Sequence, residues 1–180
     1  RPRHGLESIL LYSGITRTNP PEEVTVFNRE LTISDLVFLI GPRINAAGRI
    51  DNGRNAVKLL ISANDEASVR LGEIINNQNL ERRQLDADIT RQALEMIANS
   101  DDHQKAKTTV VFNPSWHKGV IGIVASRLTE SYYRPTIVLT ESNGLITGSA
   151  RSVKDFDIYD AIDACSDLLE HFGGHKYAAG

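Results

Sequence analysis

From Asn64 to Asn99 the chain contains no proline, and this stretch limits the possible folds more than any other. Asn64-Asp65 is a credible N-cap, followed by acidic residues that favour a helix N-terminus. Apolar residues recur at Val69, Leu71, Ile74, Ile75, Leu85, Ile89, Ala93 and Ile97, while Asn76 to Gln84 is almost wholly polar. A helix over this stretch would extend on the order of 50 Å at 1.5 Å per residue. Apolar at both ends and polar in its middle, it suits a bridge between two domains with its centre in water. A coiled-coil dimer is the competing reading, and the a/d pattern does not survive the middle.

The 180 residues suffice for one ordinary domain or two small ones on either side of such a bridge. Cys165 is the only cysteine, so no internal disulfide and no cysteine-based zinc site can form. That fits a reducing, cytoplasmic setting. No apolar run approaches the roughly 20 residues of a membrane span, and the start does not read as a signal peptide. A formal charge of −3 does not mark a nucleic-acid binder, so any such role must rest on local clusters. The chain starts at Arg1 and ends inside a motif, as expected of a piece of something longer.

On the N-terminal side, Gly5 to Ser13 and Thr32 to Ile40 read as short helices around a break at Asn19-Pro20-Pro21. The second has a Thr or Ser cap and Asp35 in its first turn. Gly41-Pro42-Arg43-Ile44-Asn45-Ala46-Ala47-Gly48-Arg49 should interrupt any long helix. Its two arginines are either phosphate forks or solvated surface residues. Residues 54–63 read helical again.

On the C-terminal side, Ser100 to Lys107 reads as a polar linker or loop. Thr108 to Phe112 reads as a strand and Gly119 to Tyr132 as a helix. Pro135 to Thr140 is a buried strand, Asn143-Gly144 a tight turn and Leu145 to Ala150 the returning strand. Ile158 to Leu169 reads as a helix with Ala161, Ile162, Cys165, Leu168 and Leu169 on its apolar face. The order predicts a small α/β domain with a mixed sheet.

Three donor-rich spots stand out in that domain, expected to face one way. In Pro114-Ser115-Trp116-His117-Lys118-Gly119, Trp116 could stack on a base or plug the sheet. In Gly148-Ser149-Ala150-Arg151-Ser152, two hydroxyls and a guanidinium could fork a phosphate. In Phe172-Gly173-Gly174-His175-Lys176-Tyr177-Ala178-Ala179-Gly180, the glycines would open a helix whose free amides attract an anion. The alternative there is a Gly-Gly turn. A catalytic reading is poor, because metal-assisted hydrolysis commonly uses several carboxylates and histidines. Asp101-Asp102-His103 is isolated, and His4, His103 and His171 lack partners in sequence.

The Gly41–Arg49, Trp116–Arg127, Gly148–Ser152 and Phe172–Gly180 segments, in this order and spacing, together resemble the RecJ family of single-strand-specific DNA exonucleases within the DHH phosphoesterases. The resemblance covers nearly the whole chain. It implies residues 1–63 as a helical remnant of the DHH domain, 64–100 as the connecting helix, and 101–180 as a C-terminally truncated DHH-associated substrate-binding domain. It implies a parent enzyme that degrades single-stranded DNA from the 5′ end in repair and recombination. Its Mn²⁺ or Mg²⁺ would be held by an N-terminal domain, with no metal held and no catalytic residue supplied by this stretch. The resemblance carries phosphate or strand contacts onto Ser149, Arg151, Ser152, Gly173, Gly174, His175, Arg49, Asn45, Trp116 and His117. A single-strand-binding protein or helicase is a conceivable partner; no membrane and no oligomer is indicated. The competing functions are a free-standing single-strand-binding module and an RNA-directed relative.

Overall fold

The computed structural model describes residues 3–19 and 24–180. The chain divides into two compact units, Arg1–Arg83 and Gln84–Gly180. The division falls inside one 34-residue helix, Asp65–Ala98, called α5 below. Asn64 caps it, its Oδ1 accepting from the Ala67 N–H at 3.0 Å.

The first unit is built on helix α1, His4–Tyr12. Two strands, β1 (Thr16–Asn19) and β2 (Val24–Phe27), follow as an antiparallel hairpin. This hairpin lies between the two helices expected on this side and has no counterpart among the expected elements, and the expected break at Pro20-Pro21 lies outside the described residues. Thr32 caps the next helix, with Asp35 completing a capping box. The chain then runs through α2 (Ile33–Asp35), a π-helical turn (Leu36–Ile40) and α3 (Gly41–Ile50) without leaving helical geometry. The expected interruption at Gly41-Pro42 is therefore only a change of pitch. Pro42 has no N–H to give Phe38, and the Gly41 N–H bonds back to Leu36 O.

Helix α4 (Arg54–Ile61) completes the unit. Ile9, Leu10, Ile15, Ile40, Ala47, Ala56, Leu59 and Ile75 form its core. Two glycines set how closely its helices approach. A methyl at Gly5 would lie 1.7 Å from Leu59 O, and one at Gly72 would lie 2.0 Å from Ser8 Oγ. On α5 the buried positions here are Ser68, Gly72, Ile75, Gln78 and Asn79. The polar middle is thus only partly in water, against expectation. Gln78 and Asn79 point inward, and Gln78 Nε2 donates to Asp51 Oδ2 at 3.5 Å.

The second unit contains the rest of α5, with Ile89, Ala93 and Ile97 buried four residues apart. Ser100 caps a short helix, α6 (Asp101–Lys105), where a linker was expected. Then come β3 (Thr109–Phe112), α7 (Ile121–Tyr132), β4 (Thr136–Ser142) and β5 (Leu145–Arg151). Strands β3 and β4 are parallel, and β5 returns antiparallel through Asn143 and Gly144, both at positive φ (55° and 77°). Helix α8 is only Ile158–Asp163, followed by a 3₁₀ turn, Ser166–Leu168. Only part of the expected apolar face is realised: Ile162 packs on the sheet, whereas Cys165 is exposed and Leu168 is 81% exposed.

The chain ends in a small hairpin, β6 (Gly174–His175) and β7 (Ala178–Ala179), giving a mixed sheet of order β3-β4-β5-β7-β6. Helix α7 covers one face, burying Val120, Ile121, Val124, Ala125 and Leu128 near Val111 and Val138. On the other face Ile158 and Ile162 of α8 pack on Ala150, Ala179 and Ile137. A buried carboxylate ties α5 to α7: Arg127 Nε and Nη2 donate to Asp86 Oδ1 and Oδ2, each at 2.8 Å.

Candidate phosphate-binding site on the second unit

The sheet register assembles the site. Thr109 pairs with Thr136, Thr136 with Arg151, Arg151 with Ala178 and Ala178 with His175. Directly opposed residues share a face, so Arg151 and His175 project to the α7 side from strands separated only by β7. A second row runs from Val138 to Ser149 and continues to Gly180 and Gly173. Those two glycines exchange both backbone hydrogen bonds at 2.9 Å. The surface between Ser149, Arg151 and His175 is therefore lined by Ala178, Gly180 and Gly173 and is nearly bare of side chains.

The expected helix at Gly-Gly-His does not form, because this segment pairs as a strand edge. Gly174 explains why: at φ 155° a methyl would sit 2.4 Å from Ala178 O and 2.6 Å from Ala179 Cα. The helix start close to the site is instead that of α7. A methyl on its residue Gly122 would lie 3.0 Å from Arg151 Nη2 and 3.3 Å from Ser149 Oγ. Gly122 is the residue that sequence reasoning left out of the site. Its place in a strand–loop–helix turn is a signal, but contact with β5 required the register.

The three loops do not share one sheet end. Strand β5 runs antiparallel to β4, so its C-terminal end lies opposite the loop after β3. In that loop Asn113 Oδ1 accepts from the Ser115 N–H and Oγ–H at 2.9 and 2.7 Å. Trp116 lies in the plug position: it is 3% exposed, and its Nε1–H donates to Gln92 Oε1 at 2.9 Å. His117 is half-buried, and its Nδ1 accepts from the Gly119 N–H at 3.1 Å. His175 is exposed, and its Nδ1 accepts from the Tyr177 N–H at 3.2 Å. Each neutral ring thus carries its proton on Nε2, and the one on His175 is a donor on the open part of the sheet. Arg151 Nη1 donates to Ala150 O at 2.7 Å. Ser152 Oγ turns away and donates to Phe156 O at 2.8 Å.

In the first unit Asn45 and Arg49 are both exposed, four residues apart on α3. Arg43 is instead a strut. Its guanidinium donates to Asn76 Oδ1, Leu39 O and Tyr12 O at 3.1, 2.8 and 3.0 Å. Burial, with Arg83 nearby, lowers its pKa from the ordinary value. His4 gains the partners that its sequence context lacks, lying 4.0 Å from Glu7 Oε2 and directly against Asp65 Oδ1. Among the described residues this is one cluster of three possible metal donors. One imidazole and two carboxylates are fewer donors than the several carboxylates and histidines that metal-assisted hydrolysis commonly uses.

Residues 105–180 match the DHHA1 domain family. Over 145 residues the chain is 41% identical to the single-stranded-DNA-specific exonuclease RecJ of Bacillus subtilis, covering 79% of this chain and 18% of that protein. The Haemophilus influenzae RecJ is 35% identical over 158 residues, 84% of this chain and 28% of its own length. The crystal structure of Thermus thermophilus RecJ with Mn²⁺ superposes with a TM-score of 0.79 at 28% identity, over 98% of this chain and 24% of that one. A manganese-bound exonuclease RecJ gives 0.71 at 32% identity, over 82% and 36%. The fold and the domain match define a DHHA1-containing region of the DHH family. Within that class the chain belongs to the RecJ family, and it spans only 18% to 36% of the length of the relatives named here.

Proposed function

We propose that this chain is the substrate-binding part of a RecJ-like exonuclease that degrades single-stranded DNA from the 5′ end in repair and recombination. The observation that carries the reading is the register that gathers Arg151, Ser149 and His175 around the bare strip of Gly173, Ala178 and Gly180. A guanidinium, a hydroxyl and an imidazole N–H around a surface that backbone can approach recognise phosphate rather than base. Asn45 and Arg49 form a separate exposed patch on α3 suited to phosphate contact. His117 would flank the strand; Trp116 takes no part.

In this reading Mn²⁺ or Mg²⁺ is held by residues outside this chain, and the chain alone does not cleave DNA. The exposed apolar side chains Ile33, Val37 and Phe38 (79%, 56% and 73%) support the view that residues 1–63 complete a larger DHH domain. A cytoplasmic location suits the single free thiol, Cys165. No described helix is long and apolar enough to cross a membrane.

Fluorescence titration of a 5′-phosphorylated single strand at two salt concentrations tests the grip. Arg151→Ala should weaken binding to all sequences alike and flatten the salt dependence by about 0.7 in log–log slope for each phosphate no longer neutralised. Unchanged affinity and slope would overturn the proposal.

A further inference from the structure

Gly122 occupies the first turn of α7 and is buried, yet it carries no side chain to fill that space. The three nearest atoms that a methyl would meet beyond its own helix are side-chain atoms of β5: Arg151 Nη2 at 3.0 Å, Ser149 Oγ at 3.3 Å and Ser149 Cβ at 3.6 Å. No backbone atom is among them, and the position has no positive φ. Neither backbone strain nor close backbone packing therefore calls for glycine here. This contrasts with Gly5 and Gly174, where a methyl would strike a carbonyl oxygen at 1.7 and 2.4 Å. The void at Gly122 is filled by the guanidinium and the hydroxyl themselves.

We infer that Gly122 is a positioning residue for the phosphate site: its missing side chain lets Arg151 and Ser149 lie against the first turn of α7. The inference rests on the phosphate reading of Arg151. The contact holds the Nη2 side of the guanidinium against the helix, while Nη1 donates to Ala150 O of its own strand. An anion meeting this guanidinium then lies near the α7 N-terminus, whose dipole favours negative charge. A methyl at 122 would displace the flexible end of Arg151 by a few tenths of an ångström or swing it to another rotamer. It would scarcely disturb the fold, since alanine is the better helix former.

The test is a double-mutant cycle in the 180-residue chain, read by titration of a labelled, 5′-phosphorylated oligothymidylate at two salt concentrations and by thermal unfolding. Gly122→Ala should weaken binding roughly 10-fold, the scale of losing one charge-assisted hydrogen bond, and flatten the salt slope, with no fall in thermal midpoint. In an Arg151→Ala background the same substitution should have little further effect. Equal weakening in both backgrounds would overturn the inference while leaving the phosphate site standing. So would wild-type affinity in Gly122→Ala when Arg151→Ala binds weakly. Failure of Arg151→Ala to alter binding, or of the wild-type chain to bind, would remove the parent reading and this inference with it. If Gly122→Ala alone does not fold, Gly122→Ala/Arg151→Ala should, because the nearest clash is gone. A double variant that also fails to fold assigns Gly122 to packing and overturns the inference.

Discussion

Trp116 offers a sharp test of which residues meet DNA and which hold the scaffold. It is the only tryptophan, 3% exposed, with its indole N–H bonded to Gln92 Oε1. Truncation to alanine removes a large buried aromatic from the turn that feeds α7, a loss of about 3–5 kcal/mol. Trp116→Phe keeps most of the apolar volume but leaves Gln92 without its donor. Gln92 is half-buried and can be partly rehydrated, so the hydrogen bond should contribute about 0.5–1.5 kcal/mol. For a unit of 60–100 residues each kcal/mol shifts the midpoint by about 4–8 °C. Melting followed by circular dichroism should therefore show a modest drop for Trp116→Phe and loss of cooperative folding in the second unit for Trp116→Ala. The wild-type emission should be blue-shifted, poorly quenched by a soluble quencher and unchanged by saturating single-stranded DNA. An emission strongly quenched by DNA would refute this, as would a Trp116→Phe variant of wild-type stability that binds DNA poorly. Either would restore the base-stacking role.

The two adjacent glycines of the last hairpin should part company. A methyl at Gly173 meets nothing within 4 Å, so Gly173→Ala should leave stability level or raise it by about 0.4–1 kcal/mol, yet weaken DNA binding by intruding on the strip. Gly174→Ala should instead lower the thermal midpoint, because its methyl meets Ala178 O at 2.4 Å; equal melting of the two variants would refute the hairpin geometry. In the first unit, paired hydrogen bonds from Arg29 and further ones from the Thr32 N–H and hydroxyl hold the buried Asp35 carboxyl well below the usual carboxylate range. A depressed folded-state pKa stabilises above the unfolded value, near 3.9, and that contribution is lost as pH falls through the folded value. Asp35→Asn should thus lower the melting midpoint at pH 7 and narrow the gap to wild type in strong acid; a gap that persists there would mean the charge is not its source.

Several elements were legible in the sequence because their signals are local. The proline-free run from Asn64 carries its own cap and forms α5. Asn143-Gly144 supplies the two positive φ angles its hairpin needs, and the β-branched runs became β3 and β4. Ser149 and Arg151 could be picked out because alternate residues of a strand share a face. What tertiary structure alone decided is where partners lie. Pro42 reads as a break, yet a π turn absorbs its missing N–H. Gly-Gly-His looks locally like a helix start, but pairing between Gly173 and Gly180 and between β6 and β7 satisfies that backbone as a strand. Trp116 reads equally as platform or plug until Gln92 of α5 is found beside it. Gly122 carries only the local signal of a strand–loop–helix turn, because its neighbours Ser149 and Arg151 are brought to it by the packing of α7 on β5. Local patterns fix backbone conformation through short-range sterics and hydrogen bonding. Which side chains then share one surface depends on strand register and layer packing, which no short window of sequence contains.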